Sequence, residues 1–409
     1  MMANAFDVLT ERGFVEQVSD VEGVRSVLEQ PITCYVGFDP SAPSFHVGHL
    51  VPIMALAHLQ RHGHRPIALM GGGTGMIGDP SDKDEMRRLL SVEQIDAHVT
   101  RLRAQMANLL DFEGGALMLN NAEWLRPLNY LEFLRDIGRH FSVNRMLAAE
   151  GYRRRYESDG GLNFLEFNYM LLQAYDFLHI FREYGCLLQA GGNDQWGNIL
   201  AGVDLVRRVE GEQVHAITYP LLTTSSGAKM GKTAQGAVWL DAELLSPYEY
   251  YQFWINTDDA DVGRFLALFT FLPMAQVRDL GRLAGAEIRS AKEVLAFEAT
   301  QILHGEQAAR EAQQASRQLF SGGAISDALP TTEIETAELA AGIEAPVLFQ
   351  RVGLCRSRSE ARRLIQQQGA RVNEEPVANV ETCITIEDLV DGEIVLRAGK
   401  KRYHRIVAI

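Results

Sequence analysis

The 409-residue chain predicts an α/β fold: a Rossmann-like parallel-sheet catalytic domain, then a small α-helical domain and a C-terminal α+β domain. Three observations carry this reading. Between residues 31 and 240, β-prone runs alternate with helix-period segments, the signature of βαβ units and a parallel sheet. From Pro247 to about Phe320 the period is helical throughout. After Pro346 a basic helix leads into short β-like runs that continue to Ile409. The boundaries that follow are 1–240, 241–321, a linker at 322–345, and 346–409.

The first strand is Ile32-Thr33-Cys34-Tyr35-Val36, running into Gly37-Phe38-Asp39-Pro40. A helix from about Gly48 to His62 follows and stops at Gly63; Pro52 is expected in its first turn, where a missing N–H costs little. Pro66 to Met70 is the next strand and meets the glycine-rich run Gly71-Gly72-Gly73-Thr74-Gly75. Ala116–Leu119, Cys186–Gln189 and Ala216–Tyr219 are further strands. Ligands of such a sheet sit at the carboxyl ends of its strands. In the helical unit, Phe265, Leu268, Phe269 and Leu272 mark one apolar face. Gly322 to about Glu344, with Pro330-Thr331-Thr332-Glu333, has little periodicity and reads as linker. The basic helix runs from Ser357 to Gln368 and stops at Gly369.

Composition narrows the class. No apolar run approaches the roughly 20 residues a membrane helix needs, so no membrane partner is expected. Met1 to Glu16 lacks the features of a signal peptide. Cys34, Cys186, Cys355 and Cys383 are scattered, which argues against a zinc site or disulfide framework and suits a reduced, cytoplasmic setting. No metal-ligating set is assigned. The net charge of −14 argues against a nucleic-acid partner until its distribution is considered. From Pro346 onward there are 11 Lys and Arg against 8 Asp and Glu, net +3; the remainder carries 28 against 45, net −17. An acidic body with a basic tail still binds a polyanion through the tail.

Two short motifs carry chemistry. His46-Val47-Gly48-His49 opens a helix, where free N–H groups and the positive end of the dipole suit a phosphate. Gly48 leaves room for a flat ligand against the backbone. Lys229-Met230-Gly231-Lys232-Thr233 places two cations on a Gly/Ser-rich segment able to close over a polyphosphate. Tyr169, Gln173 and Asp176 fall at i, i+4 and i+7, a polar stripe on an otherwise apolar helix, the pattern of a lined pocket. Lys83 and Arg87, at i and i+4, read equally as an exposed helix face.

The ordered pair of motifs resembles the two signatures of class I aminoacyl-tRNA synthetases. Tyr35-Val36-Gly37-Phe38-Asp39-Pro40-Ser41, Gly78-Asp79-Pro80-Ser81, Tyr169 to Asp176 and Gly191-Gly192-Asn193-Asp194-Gln195-Trp196-Gly197-Asn198 narrow it to the bacterial tyrosyl-tRNA synthetase family, over essentially the whole chain. The tail resembles the S4-type RNA-binding module of that family. The resemblance implies activation of L-tyrosine by ATP with Mg²⁺, with no tightly bound cofactor, then transfer to tRNA(Tyr), by a homodimer whose nucleic-acid partner is RNA and not DNA. It implies that Tyr35 and Asp176 bind the substrate phenol, that Tyr169, Gln173 and Asp79 hold its amino group, and that Gln195 lies near its carboxylate. It implies further that Gly37, Asp39, Gly48, Gly191 and Asp194 belong to the ATP and adenylate site, and that Ser41, His46 and His49 meet the phosphates. Lys83, Arg87, Lys229, Lys232 and Thr233 grip the pyrophosphate, while Arg356, Arg358, Arg362, Arg363 and Arg371 offer charge to RNA. Val36 departs from a frequent cysteine and Ser41 from a frequent threonine; neither removes a charge the mechanism needs. The sister synthetases for tryptophan share the core, but the Tyr35/Asp176 pair and the tail module stand against them.

Overall fold

Among the described residues, six strands form the central sheet in the order β1-β6-β5-β2-β3-β4, with β1 Gln17–Val18, β2 Thr33–Phe38, β3 Arg65–Met70, β4 Leu117–Asn120, β5 Cys186–Gly192 and β6 His215–Tyr219. The computed structural model describes residues 3–81, 90–225, 227, 230, 232–233, 236–321, 329–390, 392–399 and 402–409. Strands β2 to β6 pair in parallel, as expected. The edge strand β1 runs antiparallel to β6, pairing Gln17 with Thr218 and Val18 with Ile217. Two residues are too few to show a period, so this strand left no signal in the sequence.

Side chains alternate across the pleat and so sort into two layers. Cys34 and Val36 point into the apolar cluster shared with the helix Val47–Arg61, while Tyr35 points into the cluster of the helix Tyr169–Tyr184. That split puts the histidine motif and the polar-striped helix on opposite faces of β2. The cluster on the first face also contains Trp254, Phe265 and Phe269 of the helical unit. The helices Pro247–Ile255, Val262–Phe269, Met274–Gly281, Ile288–His304 and Glu306–Ser321 therefore continue the core of the sheet domain without a break at residue 240.

Two expectations need correction. Pro52 is the sixth residue of its helix, not part of the first turn, because the helix begins at Val47; the Gly48 carbonyl thus loses its i+4 donor. The expected linker at 322–345 is in large part structured. Strand Thr331–Ile334 pairs in parallel with Arg402–Ala408, and Ile334, Leu339 and Ile343 are buried in the tail core. Four residues with one buried side chain give no readable alternation; only pairing with the end of the chain makes them a strand. The tail is α+β, a five-stranded sheet with helices Ala345–Arg351 and Arg358–Gln366.

Candidate active site

His46 is the N-cap of the Val47–Arg61 helix and His49 its third residue. His46 Nδ1 accepts the Gly48 N–H at 3.0 Å, and His49 Nδ1 accepts the His46 N–H at 3.2 Å. The rings lie 4.1 Å apart. A neutral imidazole whose Nδ1 accepts must carry its proton on Nε2, so the caps set both rings as Nε2–H donors. Gly48 is required here for a reason the sequence did not show: a Cβ would come within 2.8 Å of the His46 ring. The two motifs, far apart in sequence, are also tied by backbone. Val47 N–H donates to the Val238 carbonyl at 2.9 Å and Leu240 N–H to Phe45 O at 2.9 Å. Lys232–Thr233 pairs with Gly236–Ala237 just before that junction. Lys83, Arg87 and Lys229 lie outside the described residues.

Gly37 is the exposed position of an otherwise buried β2, and a Cβ there would have nothing within 4 Å, so the backbone is open to a ligand. Asp39 just beyond it accepts from Tyr169 Oη at 3.0 Å and Thr74 Oγ1 at 2.9 Å. Gly71 permits this contact, since a Cβ would sit 2.2 Å from Asp39 Oδ1. Ser41 is exposed at the same end of the strand.

Asn121 extends the chain of contacts by donating to Thr74 Oγ1 at 3.0 Å and to Asp176 Oδ2 at 2.9 Å. Trp124 Nε1 donates to Asp176 Oδ1 at 2.8 Å. Asp176 is 2 % exposed, and burial raises its carboxyl to about 7 despite those two donors, with Asp39 adding to the rise. The Tyr35 hydroxyl is buried with no hydrogen-bond partner, as is Gln173 Oε1. Burial, and after it the Asp176 charge, keeps the phenol proton on Tyr35. Orphaned buried groups of this kind cost about 1–3 kcal/mol each, a cost that a polar ligand relieves.

On the far side, Asp79 accepts the Ser81 N–H at 2.9 Å and the Gln195 amide at 2.6 Å. The same amide donates to Asp194 at 2.8 Å, so Gln195 bridges the two carboxylates. Gly191, the penultimate residue of β5, lies against Ile199 and Gln195, where a Cβ would meet atoms at 3.2 and 3.3 Å. Beside Asp194 lies a cavity of about 750 Å³, bordered by Ser81, Arg145, Arg154, Trp196 and Arg208; of the predicted site residues among those described, it touches only Asp194. In the tail, Arg356, Arg358, Arg362 and Arg363 are exposed at the start of and along one helix, whose other face buries Ala361 and Ile365. Arg371 is half-buried and donates to the Glu374 carbonyl at 2.6 Å.

Thr74, Asn121 and Trp124 were missed by sequence reasoning. Each follows the carboxyl end of a strand, β3 or β4, a position that marks the region but not these residues over their neighbours.

A family profile described as "tRNA synthetases class I (W and Y)" matches residues 28–321, which covers tryptophan and tyrosine enzymes alike. A second, "Tyrosine--tRNA ligase SYY-like C-terminal domain", matches 320–406. The tyrosine–tRNA ligase of Desulfosudis oleivorans is 57 % identical over 98 % of both chains. The chain belongs to the tyrosine–tRNA ligase family. The ligase of Caldanaerobacter subterraneus subsp. tengcongensis is 53 % identical over 99 % of both chains. Among solved structures, a C-terminally truncated mitochondrial tyrosyl-tRNA synthetase of Aspergillus nidulans superposes with a TM-score of 0.70 at 32 % identity, covering 78 % of this chain and 95 % of that one. Family membership decides for tyrosine where the shared core alone leaves tryptophan open.

Proposed function

We propose that the chain acts as a tyrosine–tRNA ligase, joining L-tyrosine and ATP into tyrosyl-adenylate and pyrophosphate and then passing tyrosine to the 3′ end of tRNA(Tyr). The observation that carries the amino-acid assignment is the partnerless, buried Tyr35 hydroxyl beside the hydrogen-bonded carboxylate of Asp176. A phenol that donates to Asp176 and accepts from Tyr35 satisfies both.

In this reading Asp79, Tyr169 and Gln173 hold the amino group, and Gln195 turns from its carboxylate bridge toward the substrate carboxylate. That carboxylate attacks the α-phosphorus in line as pyrophosphate leaves, so no protein nucleophile is needed. The open backbone at Gly37, with Asp39, Gly191 and Asp194, takes the nucleoside. Ser41, His46 and His49 donate to the phosphates beside Gly48, and Lys83, Arg87, Lys229, Lys232 and Thr233 grip the leaving pyrophosphate. Catalysis is then positioning plus charge stabilisation. ATP enters as its magnesium complex, the ion held mainly by phosphate and water.

The catalytic unit spans 1–240 and the helical unit 241–321, the two sharing one core, and an S4-like RNA-binding domain forms the tail, starting near Thr331. Arg356, Arg358, Arg362, Arg363 and Arg371 contact RNA. The cavity beside Asp194 gives room for the tRNA end. Tyr130, Leu131, Val143, Tyr156 and Phe164 are exposed within 35 residues of chain, which supports a homodimer across that surface. The site of action is the cytoplasm, where charged tRNA is used; among the described residues no helix is long and apolar enough to cross a membrane.

Exchange of labelled pyrophosphate into ATP tests the reading. Tyrosine should support it and phenylalanine and tryptophan should not; exchange with tryptophan alone would overturn it.

A further inference from the structure

We infer that the buried Arg155–Glu166 ion pair, acting through Tyr152 and its neighbour Gly151, positions Tyr169 and Asp79, two of the three groups that hold the amino end of the substrate. The inference rests on the tyrosine reading above. It starts from a pair of charges 4 % and 3 % exposed, which no step of the chemistry uses.

Arg155 lies on the short helix Glu150–Glu157 and Glu166 on the turn Phe164–Phe167. The guanidinium meets the carboxylate twice, Nε to Oε1 and Nη2 to Oε2, each at 3.2 Å. Nη1 donates to Ser158 Oγ at 2.9 Å, and Glu166 Oε2 also accepts the Asn163 N–H at 3.3 Å. A pair this satisfied is held in one geometry. Its presence is weak evidence of a stabilising role, because replacing a buried ion pair with well-packed apolar residues of similar volume is often neutral or stabilising. Orientation is what remains for it to supply.

Tyr152 precedes Arg155 by three residues and so shares its helix face. Its hydroxyl donates to the Glu166 carbonyl at 3.5 Å and accepts the Met170 N–H at 2.8 Å. Met170 belongs to the first turn of the Tyr169–Tyr184 helix, whose own N-cap, Asn168, makes no side-chain cap bond. Tyr152 therefore caps the substrate helix from outside, one residue from Tyr169. The neighbouring Gly151 packs on Ser81, where a Cβ would be 3.3 Å from Oγ, and Ser81 N–H holds Asp79 at 2.9 Å. One short helix thus braces both Tyr169 and Asp79, and the ion pair fixes that helix.

The test uses the full-length protein in pyrophosphate exchange, with melting temperature measured alongside. Arg155→Met/Glu166→Leu should fold with a melting temperature near wild type yet raise the KM for tyrosine by about 10-fold, the scale of a sub-ångström displacement, and leave the KM for ATP within about twofold. Tyr152→Phe keeps the ion pair and the ring packing and should show the same split, which decides the matter if the double variant does not fold. Unchanged KM for tyrosine in the variant that folds overturns the inference and leaves the pair purely structural. A wild-type protein whose exchange ignores tyrosine fails the functional reading instead, a distinct result.

Discussion

Asn121 donates its side-chain amide to Asp176 at 2.9 Å while its own oxygen takes the backbone N–H of Gly73 at 2.7 Å. The glycine-rich turn after β3 thereby aims a donor at the carboxylate to which the proposed function assigns the phenol. With Trp124 it pulls the Asp176 carboxyl down against the larger push of burial, to about 7.

Removing either donor should raise that value further. An ionised Asp176 is the better acceptor for a phenol, so the KM for tyrosine should rise as pH falls through about 7 in the wild type. In Asn121→Ala and Trp124→Phe the midpoint should move to higher pH. Profiles that superimpose on wild type would remove Asp176 from the phenol site.

The same group bears on stability. Its folded value lies above the unfolded value near 3.8, so the folded state holds the proton more tightly. The stability it contributes is fully present below about pH 4 and lost as pH rises through about 7, at most about 4 kcal/mol for a shift of about 3 units. Chemical unfolding of Asp176→Asn should lack that decline. An identical slope in both proteins would show that another group carries it.

Tyr35→Phe should lower discrimination between tyrosine and phenylalanine, because it removes one of the two groups that pair with the hydroxyl. Tyrosyl enzymes are themselves the reference case for rejection of the missing hydroxyl, by about 10⁴–10⁵-fold, and the size of the wild-type ratio is borrowed from them. The ratio of kcat/KM for the two amino acids is the measurement. A ratio equal to wild type places the hydroxyl reader elsewhere.

Gly48→Ala should displace the His46 ring, since a Cβ would stand 2.8 Å from it. Single-turnover adenylate formation should fall by about 10–100-fold with tyrosine affinity nearly unchanged, because only charge developing in the transition state is left without its donor. Lys232→Ala should behave alike. A large loss of affinity with normal activation would contradict the phosphate role of both motifs.

Cutting the chain after Phe320 should spare pyrophosphate exchange and cripple tRNA charging. Cutting after Gly342 should do the same to charging but leave a stickier protein, since Ile334 and Leu339 lose the core they are buried in. Charging by full-length protein should weaken with salt as phosphate contacts are screened. Equal retention of exchange and charging in the shorter protein would remove the tail from tRNA binding.

Leu131, 75 % exposed, should be buried in the dimer. Leu131→Glu should shift the sedimentation of the protein toward the monomer, and a wild-type protein that already sediments as a monomer would end the dimer proposal.

The sequence by itself determined the alternation of strands and helices in the sheet domain and its parallel sheet, because each parallel strand is a run of apolar, β-prone residues long enough to be read and βαβ succession implies parallel pairing. It also determined which residue types meet at the carboxyl ends of β2 and β5 and at the start of the Val47–Arg61 helix, since motif residues sit close in the chain to the strand or helix that aims them. Tertiary structure decided the rest. The shift of Asp176 depends on Asn121 and Trp124, more than 50 residues away in sequence, and on a burial that no helical period reveals. Strand Thr331–Ile334 exists only because the end of the chain pairs with it. The tautomers of His46 and His49 are set by backbone N–H groups that point at the rings only once the helix has formed. Local pattern reports what a segment prefers; a proton's position and a short strand's partner are properties of what lies across the fold.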